Sequence, residues 1–353
     1  MLFLQEAGSQ GGYLLEHLLL ESIGADRGGG IFAWTSSSGA QVLIEDPTFQ
    51  EFLKFGDFRL FVGTDMVTDT SAVTTLNRLI TSNPRLNVRA FLNPGAELFH
   101  PKMTWFEHSN HLSLVIGSGN LTMGGLRSNW EAFTVLHLKG KDAISVLQTI
   151  EEFLTKNART LVPIDDPRVL ELVQNNTGNE RSTRGKDTPT PQEPEIFFAA
   201  EAVLVAEIPK SGNRWSQANF TREIYEEFFG AKVGSQRRII LQNVDDRGVA
   251  GSFESRPSVE VISENYRFEI AAAAGIDYPP NGRPVGVFLR LSTGHFWYSL
   301  LLPGESDYST LEKFLTSKWQ GPNRQVRRVQ CSPAELWEAW PQSPMWMMTM
   351  PAL

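Results

Sequence analysis

The chain is poor in cysteine: Cys331 stands alone among 353 residues. That excludes an intramolecular disulfide, fits a reducing cytoplasm, and offers no thiol spacing for a metal. Long apolar runs are also missing. The longest, such as Tyr13 to Leu20 and Trp297 to Leu302, fall far short of the roughly 20 residues that span a bilayer. No basic stretch precedes an apolar core near Met1, so neither a secretory leader nor a membrane anchor is expected. Basic residues are outnumbered, with 32 Lys and Arg against 40 Asp and Glu and a formal net charge of −8. A broad basic surface for indiscriminate polyanion binding is thereby excluded, although a local basic cleft on an acidic body is not. No G-x-x-x-x-G-K-[ST] phosphate loop occurs, so ATP hydrolysis would belong to another chain. What remains, 41% hydrophobic and 20% charged, is ordinary globular composition, enough for two or three domains.

The first half alternates strand and helix signals. Gly12 to Ile23 places leucines on one helical face, Ser71 to Ile80 is helical, and Asp142 to Leu154 is amphipathic. Strands are expected at Ile31 to Trp34, Gln41 to Ile44, Phe58 to Val62, Leu86 to Leu92, Met103 to Phe106, Leu112 to Ile116 and Ala132 to Leu138. The succession around Phe58 to Leu92 reads as a βαβ unit with a parallel pair. From about Asn175 to Glu195 the sequence turns polar and proline-rich, as a flexible linker does. The second half carries short apolar stretches at Ala202 to Ile208, Arg238 to Leu241, Val259 to Ile262, Tyr266 to Ala271, Val285 to Leu291 and Phe296 to Leu302. With two helices, Phe220 to Phe229 and Ser309 to Ser317, this suggests a barrel-like β domain. The expected division is 1–160, a connecting segment over 161–195, and 196–353.

Chemistry concentrates in His100-Pro101-Lys102, Gly117-Ser118-Gly119-Asn120 and Asn129-Trp130-Glu131. Imidazole is a nucleophile, lysine holds a phosphoryl oxygen, and short polar side chains hydrogen-bond growing negative charge; together they suit metal-free attack on a phosphodiester. Alone, His100 before a proline reads as a packing or turn residue, and Glu131 as an edge-strand carboxylate. Their joint occurrence with Lys102, Ser118 and Asn120 favours a site, in which Glu131 would accept a hydrogen bond from an imidazole. Gly124 and Gly125 read as turn residues. Glu107, His108 and His111 have metal-ligand types, but a polar hairpin turn between two strands is the better reading.

The H-x-K and G-S-x-N pattern resembles the signature of the phospholipase D superfamily. The trailing S-G-N-L-T-x-x-G-L-x-x-N-x-E is most similar to its nuclease branch, which includes the BfiI and NgoFVII restriction endonucleases. The aspartate that the fuller signature carries after the lysine is replaced by Glu107, a departure that disfavours lipid chemistry. Ala206 to Phe220, with Lys210, Asn213, Arg214, Trp215 and Gln217, resembles the C-terminal domain of NgoFVII-type enzymes, which has a plant-B3-like fold. The resemblance thus implies an α/β phospholipase D-like N-terminal domain and a mainly β, B3-like pseudobarrel.

It further implies a sequence-specific endonuclease acting on double-stranded DNA, with no metal or other cofactor. A single signature implies a homodimer through the N-terminal domain, since such members build one site from two chains. A helicase-like ATPase subunit, as in the NgoAVII and CglI systems, and a cognate methyltransferase are the partners it suggests. Lys210, Asn213, Arg214, Trp215 and Gln217 would contact DNA, with Ser263, Asn265, Tyr266 and Arg267 as a second arm. Trp297, Trp337, Trp340 and Trp346 read as packing residues, while Lys318, Arg324, Arg327 and Arg328 are either phosphate contacts or a solvated face. The rival readings are a non-catalytic DNA-binding protein with a vestigial nuclease domain and a phosphatidyl transferase.

Overall fold

Glycine makes the first sheet possible at its centre. In the strand Arg27–Phe32 (β2) an added Cβ on Gly29 would lie 2.2 Å from the Trp105 ring. That indole, wholly buried, occupies the space instead. The computed structural model describes residues 1–6, 12–65, 67–93, 95, 98–176, 200–210, 215–231, 237–260, 266–291, 294–322 and 325–347. The chain divides into two compact units, Met1–Pro189 and Thr190–Leu353.

The first unit is an eight-stranded mixed sheet. Besides β2 it contains Leu2–Gln5 (β1), Asp57–Gly63 (β3), Leu86–Phe91 (β4), Lys102–Glu107 (β5), Leu112–Gly117 (β6), Glu131–Leu138 (β7) and Leu161–Pro163 (β8), in the order β1-β7-β6-β5-β2-β3-β4-β8. β2, β3 and β4 are mutually parallel, and the remaining neighbours are antiparallel. The parallel strands β2 and β3 are buried almost throughout, as strands covered on both faces must be. One face carries the helix Leu14–Ser22 (α1) and the helix Pro47–Leu53 (α3), whose Phe49 and Phe52 meet Phe58 and Phe106 edge to face. The other face packs Ile31, Trp105, Leu112 and Leu114 under Ile150 and Leu154 of the helix Gly140–Lys156 (α5).

Most expected elements occur, with differences that have local causes. Gln41 to Ile44, expected as a strand, is the end of the helix Ser37–Ile44 (α2). The Ser36 hydroxyl accepts from Gly39 N at 3.1 Å, and this cap commits a short apolar run to helix. α3, which the sequence reading did not anticipate, is capped by Asp46 with Pro47 in its first turn. Thr70–Ser82 (α4) is capped by Asp69. The segment after residue 160, expected as connecting chain, supplies β8 and the helix Pro167–Asn176 (α6). α6 packs on α4, and its Asn176 donates to the carbonyls of Thr64 and Thr68 at 2.8 Å. Most of the polar segment read as a linker lies outside the described residues.

The second unit is mainly β, but among the described residues its strands do not close into one barrel. Six of them, Ala200–Glu207 (β9), Arg238–Val244 (β11), Ala250–Pro257 (β12), Val285–Leu291 (β15), Phe296–Leu301 (β16) and Arg328–Cys331 (β17), form a sheet ordered β12-β11-β16-β15-β9-β17. Gln217–Phe220 (β10), Val259–Glu260 (β13) and Tyr266–Glu269 (β14) form a second sheet, ordered β10-β14-β13. Alternation along the six-stranded sheet divides two cores. Leu204, Leu241, Phe288 and Tyr298 face Phe220, Tyr225, Phe229 and Phe268. Val203, Val287, Leu289 and Trp297 face the helices Tyr308–Lys318 (α7) and Pro333–Ala339 (α8), together with Trp340 and Trp346. Trp297, Trp340 and Trp346 are buried and Trp337 packs against them, so the four expected packing tryptophans share one core.

An ion network ties β9 to its neighbours. Buried Glu207 accepts from Arg327 Nε at 3.0 Å, Arg327 N at 2.7 Å and Arg283 Nη1 at 2.9 Å. Burial alone would raise its pKa; the two guanidinium partners outweigh this and hold it below the usual carboxylate value. Glu207→Ala removes the principal partner of the half-sequestered Arg327, leaving it the Thr316 hydroxyl and the more distant Glu312 carboxylate at 3.7 Å. We expect a loss of about 3 kcal/mol, the lower end for a broken buried pair because Arg283 still reaches water. Urea unfolding of the full chain would measure it.

Candidate active site

The five residues singled out by the sequence converge at one end of the first sheet. Phe32 at the end of β2 pairs with Lys102 at the start of β5, and Gly117 at the end of β6 pairs with Phe133 near the start of β7. Antiparallel pairing therefore gathers the segments before β5, after β6 and before β7 on one edge, beside the chain leaving β2. Phe99 is buried and stacks on Phe91 with centroids 4.1 Å apart, which anchors the loop and leaves the adjacent His100 exposed.

The G-S-G-N-L-T loop is joined to the β2–α2 loop by backbone contact. Thr35 and Leu121 form an isolated parallel bridge, with Leu121 N donating to Trp34 O at 3.1 Å and Ser36 N to Leu121 O at 3.0 Å. Asn120 Oδ1 accepts from Trp34 N at 3.1 Å. That bond fixes the amide orientation of buried Asn120 and leaves Nδ2 as its donating end. Beneath the loop, Gly125 is the second residue of the π-helical turn Gly124–Ser128, and a Cβ there would sit 2.4 Å from Asn120 N and 2.5 Å from Asn120 O. Gly125 is thus needed for close approach as much as for the turn. Buried Gln5 holds this turn from β1, donating to Asn129 O at 2.9 Å and Gly125 O at 3.3 Å while accepting from Leu14 N at 2.8 Å.

Lys102 Nζ donates to His100 O at 3.0 Å and lies 5.8 Å from the Trp34 ring centroid. The His100 ring meets the same indole edge to face at 5.3 Å. Desolvation, then the Lys102 charge, lowers the His100 pKa below its ordinary 6.5. Desolvation likewise lowers Lys102, opposed by the Glu131 carboxylate. Glu131 accepts from the Ser118 hydroxyl and, at 3.4 Å, from Asn129 Nδ2. The expected bond from an imidazole to Glu131 is replaced by this one, because Ser118 lies beside the start of β7, where Ala132 N also donates to its Oγ at 3.0 Å. With its hydrogen given to Glu131, Ser118 positions that carboxylate; Lys102 and the Asn120 side-chain amide are the donors at this end of the sheet.

Chemically the edge offers a lowered-pKa imidazole, a lysine and a fixed amide donor. Sequence reasoning missed Trp34, which touches both His100 and Lys102, and Gln5, which supports the turn; neither lies in the motif. The Thr122 hydroxyl accepts from Gly125 N at 3.0 Å.

The expected DNA-contacting residues of the second unit divide three ways. Asn213, Arg214, Ser263, Asn265 and Arg324 lie outside the described residues. Trp215 and Tyr266 are corrected to core residues: Trp215 is 6% exposed with its indole N–H donating to Ile276 O at 2.6 Å, and Tyr266 is 8% exposed against Tyr225. Tyr266 packs beside the π-helical turn Ile224–Phe228, and Trp215 meets Tyr278 edge to face, both within one apolar core. Gln217 and Arg267 alternate with these buried residues on the outward side of β10 and β14, and exposed Lys210 lies 6.0 Å from the Tyr278 ring. Arg327, Lys318 and Arg328 are engaged by Glu207, Glu335 and Asn219 O respectively.

No family model matches the chain, and no curated protein does. Among solved structures it is similar to Nuc, a phospholipase D family member from Salmonella typhimurium, at 14% identity over 46% of this chain and 97% of that one, with a TM-score of 0.35. NucT from Helicobacter pylori follows at 14% identity, 42% and 90% coverage, and a TM-score of 0.30. The N-terminal domain of Helicobacter pylori LlaJI.R1 matches at 12% identity, 37% and 98% coverage, and a TM-score of 0.26. At such TM-scores these likenesses carry no argument about this chain. No helix among the described residues is long and apolar enough to cross a membrane.

The packing of Gly125 on Asn120 is directly testable. Gly125→Ala places a methyl group against backbone that has no room to yield, and should cost about 1–3 kcal/mol in thermal unfolding. Gly124→Ala meets only the Asn129 side-chain amide, at 2.9 Å, which can swing aside, so its cost should be smaller.

Proposed function

We propose that this chain is a phosphodiesterase of the phospholipase D type acting on DNA, a restriction-type endonuclease with catalysis in its first unit and recognition in its second. The observation that carries the reading is the meeting of His100, Lys102, Ser118, Asn120 and Glu131 at one end of the three successive strands β5, β6 and β7. In this mechanism neutral His100 attacks phosphorus, forming an N–P bond as the P–O bond to the leaving group breaks. A second histidine, His100 of another copy, gives its proton to the leaving oxygen. That imidazole then takes a proton from water, whose oxygen attacks phosphorus and breaks the N–P bond, restoring both residues. Lys102 and the Asn120 amide stabilise the anionic transition state. The residues themselves supply nucleophile, acid and charge stabilisation, so no metal or other cofactor enters. A B3-like role for the second unit rests on its mainly β structure and on the outward Gln217, Arg267 and Lys210. Any ATP-dependent helicase-like subunit or companion methyltransferase would be a separate protein.

His100→Ala should abolish plasmid cleavage in EDTA while sequence-specific duplex binding persists. Because desolvation and Lys102 depress the His100 pKa, its neutral form persists to lower pH. The acid limb of kcat/KM should therefore fall below pH 6.5, the ordinary histidine value. Cleavage that survives His100→Ala, or specific binding with no cleavage by the wild type under any partner or ATP condition, would overturn the catalytic reading. The latter outcome is the vestigial-nuclease alternative.

The second copy has a surface to bind. Leu2 and Leu4 of β1, Ile116 of β6 and Leu136 of β7 are exposed on one face of the sheet, in register with Thr134 and Ala132. Exposed Trp130 adjoins this strip at the active-site end. A contiguous apolar strip beside a site that lacks its second histidine is what a homodimer would cover. Leu4→Glu with Ile116→Glu should convert a sedimenting dimer into a monomer and suppress cleavage with it. A fully active monomer would refute the two-chain site.

A further inference from the structure

At the opposite end of the same strands lies a second cluster of chemically capable residues. Three of the six histidines gather there: His108 and His111 in the β5–β6 hairpin and His137 near the end of β7. They surround Glu21, whose side chain is 9% exposed at the end of α1. Glu21 Oε2 accepts from Ser113 Oγ at 2.6 Å and lies 2.8 Å from His137 Nε2. One ligand atom from each of Glu21, His111 and His137 lies within 4.8 Å of the other two. His108 stacks on His111 at 4.2 Å, nearly parallel, with its Nε2 held 3.1 Å from Glu21 O.

We propose that Glu21, His111 and His137 bind one divalent transition-metal ion of the zinc class. Two imidazoles and a carboxylate are the borderline donor set that Zn²⁺ takes, with a fourth position left for water, whereas Mg²⁺ and Ca²⁺ prefer all-oxygen shells. Bonds of about 2.0–2.1 Å in tetrahedral geometry hold ligand atoms roughly 3.3 Å apart. The His137–Glu21 contact must therefore open slightly and His111 must move inward. Both movements fall to accessible side chains: His137 is about half exposed, and His111 belongs to a surface hairpin.

The supporting shell is already in place. His111 Nδ1 faces Asn110 Oδ1 at 2.7 Å, so it carries the hydrogen and Nε2 presents the lone pair. Ser113 orients the carboxylate, which leaves the second Glu21 oxygen free of that bond. In the bound form the His137 ring would keep its hydrogen on Nδ1. Glu107, which belongs to the same hairpin, is engaged by Arg27 at 2.8 Å instead. The ion would join the end of α1, the β5–β6 hairpin and β7, segments otherwise linked here only by hydrogen bonds and ring contacts among the described residues. This site is independent of the nuclease reading, since it stands at the sheet edge remote from His100.

The test uses the full chain, stripped with EDTA and titrated with Zn²⁺ or Mg²⁺ by calorimetry and thermal unfolding. One Zn²⁺ per chain and a raised Tm are expected, with no response to Mg²⁺. His111→Ala and His137→Ala should each abolish stoichiometric binding, with folding checked by circular dichroism. Ser113→Ala should weaken binding about 10–100-fold. His100→Ala should bind as the wild type does. Absence of stoichiometric Zn²⁺ binding in the wild type, an unchanged isotherm in both ligand variants, or loss of binding in His100→Ala would overturn the site. Should a ligand variant unfold, Glu21→Gln, which retains an acceptor for Ser113, decides by the same isotherm.

Discussion

Backbone lying directly against backbone is the constraint on which the candidate active-site edge depends. Asn120 is held from above by Trp34 N, from the side by the Thr35–Leu121 bridge, and from below by Gly125. Gly39 belongs to the same arrangement: a Cβ there would lie 2.2 Å from Leu121 O. Side-chain rotamers can adjust to a neighbour, whereas packed peptide units cannot, so the amide of Asn120 is set before any ligand arrives. Preorganised donors of this kind need little rearrangement as charge develops. Lys102 is held more loosely, by a carbonyl and an indole face, and in the proposed mechanism its longer stem would follow a moving phosphoryl oxygen.

The electrostatics are local in the same sense. A chain of net charge −8 gathers at this edge Lys102, His100 and the carboxylate of Glu131, and that carboxylate is occupied by Ser118 and Asn129. Glu131 thus supports the Lys102 cation without forming a direct pair with it. A direct ion pair would hold the ammonium in place and oppose its use by an anion; a hydrogen-bonded carboxylate nearby stabilises the charge and leaves it available.

The parts of this fold that were legible in the sequence are those governed by local pattern. β3, α4 and β4 show their periods plainly, and the H-x-K and S-x-N spacing located the edge before any tertiary contact was known. What sequence could not reveal is set by contacts between distant elements. Gln41 to Ile44 has the composition of a strand, and only the Ser36 cap and the packing of α2 beside α4 make it helical. Trp215 and Tyr266 are amphipathic side chains in a polar context; whether Tyr266 meets solvent or core depends on which sheet face its strand turns inward, and Trp215, in the turn before β10, is buried by its contact with Tyr278. Glu21 and His137 gave no signal because 116 residues separate them; the hairpin histidines alone were visible.

Strands β6 and β7 carry both the proposed catalytic edge and the proposed metal cluster, and their outward face carries the apolar strip between. A pair of hydrogen-bonded strands is stiff along its length, so its two ends cannot be positioned independently. If a second copy covers Ile116 and Leu136, the burial orders β6 and β7 from one side, while α1 already packs against the turn after Asn120 from the other. An ion at Glu21 would fasten α1 to the far end of the same two strands. Completion of the site by a second histidine would then depend on how firmly one strand pair is held, rather than on any residue in contact with substrate.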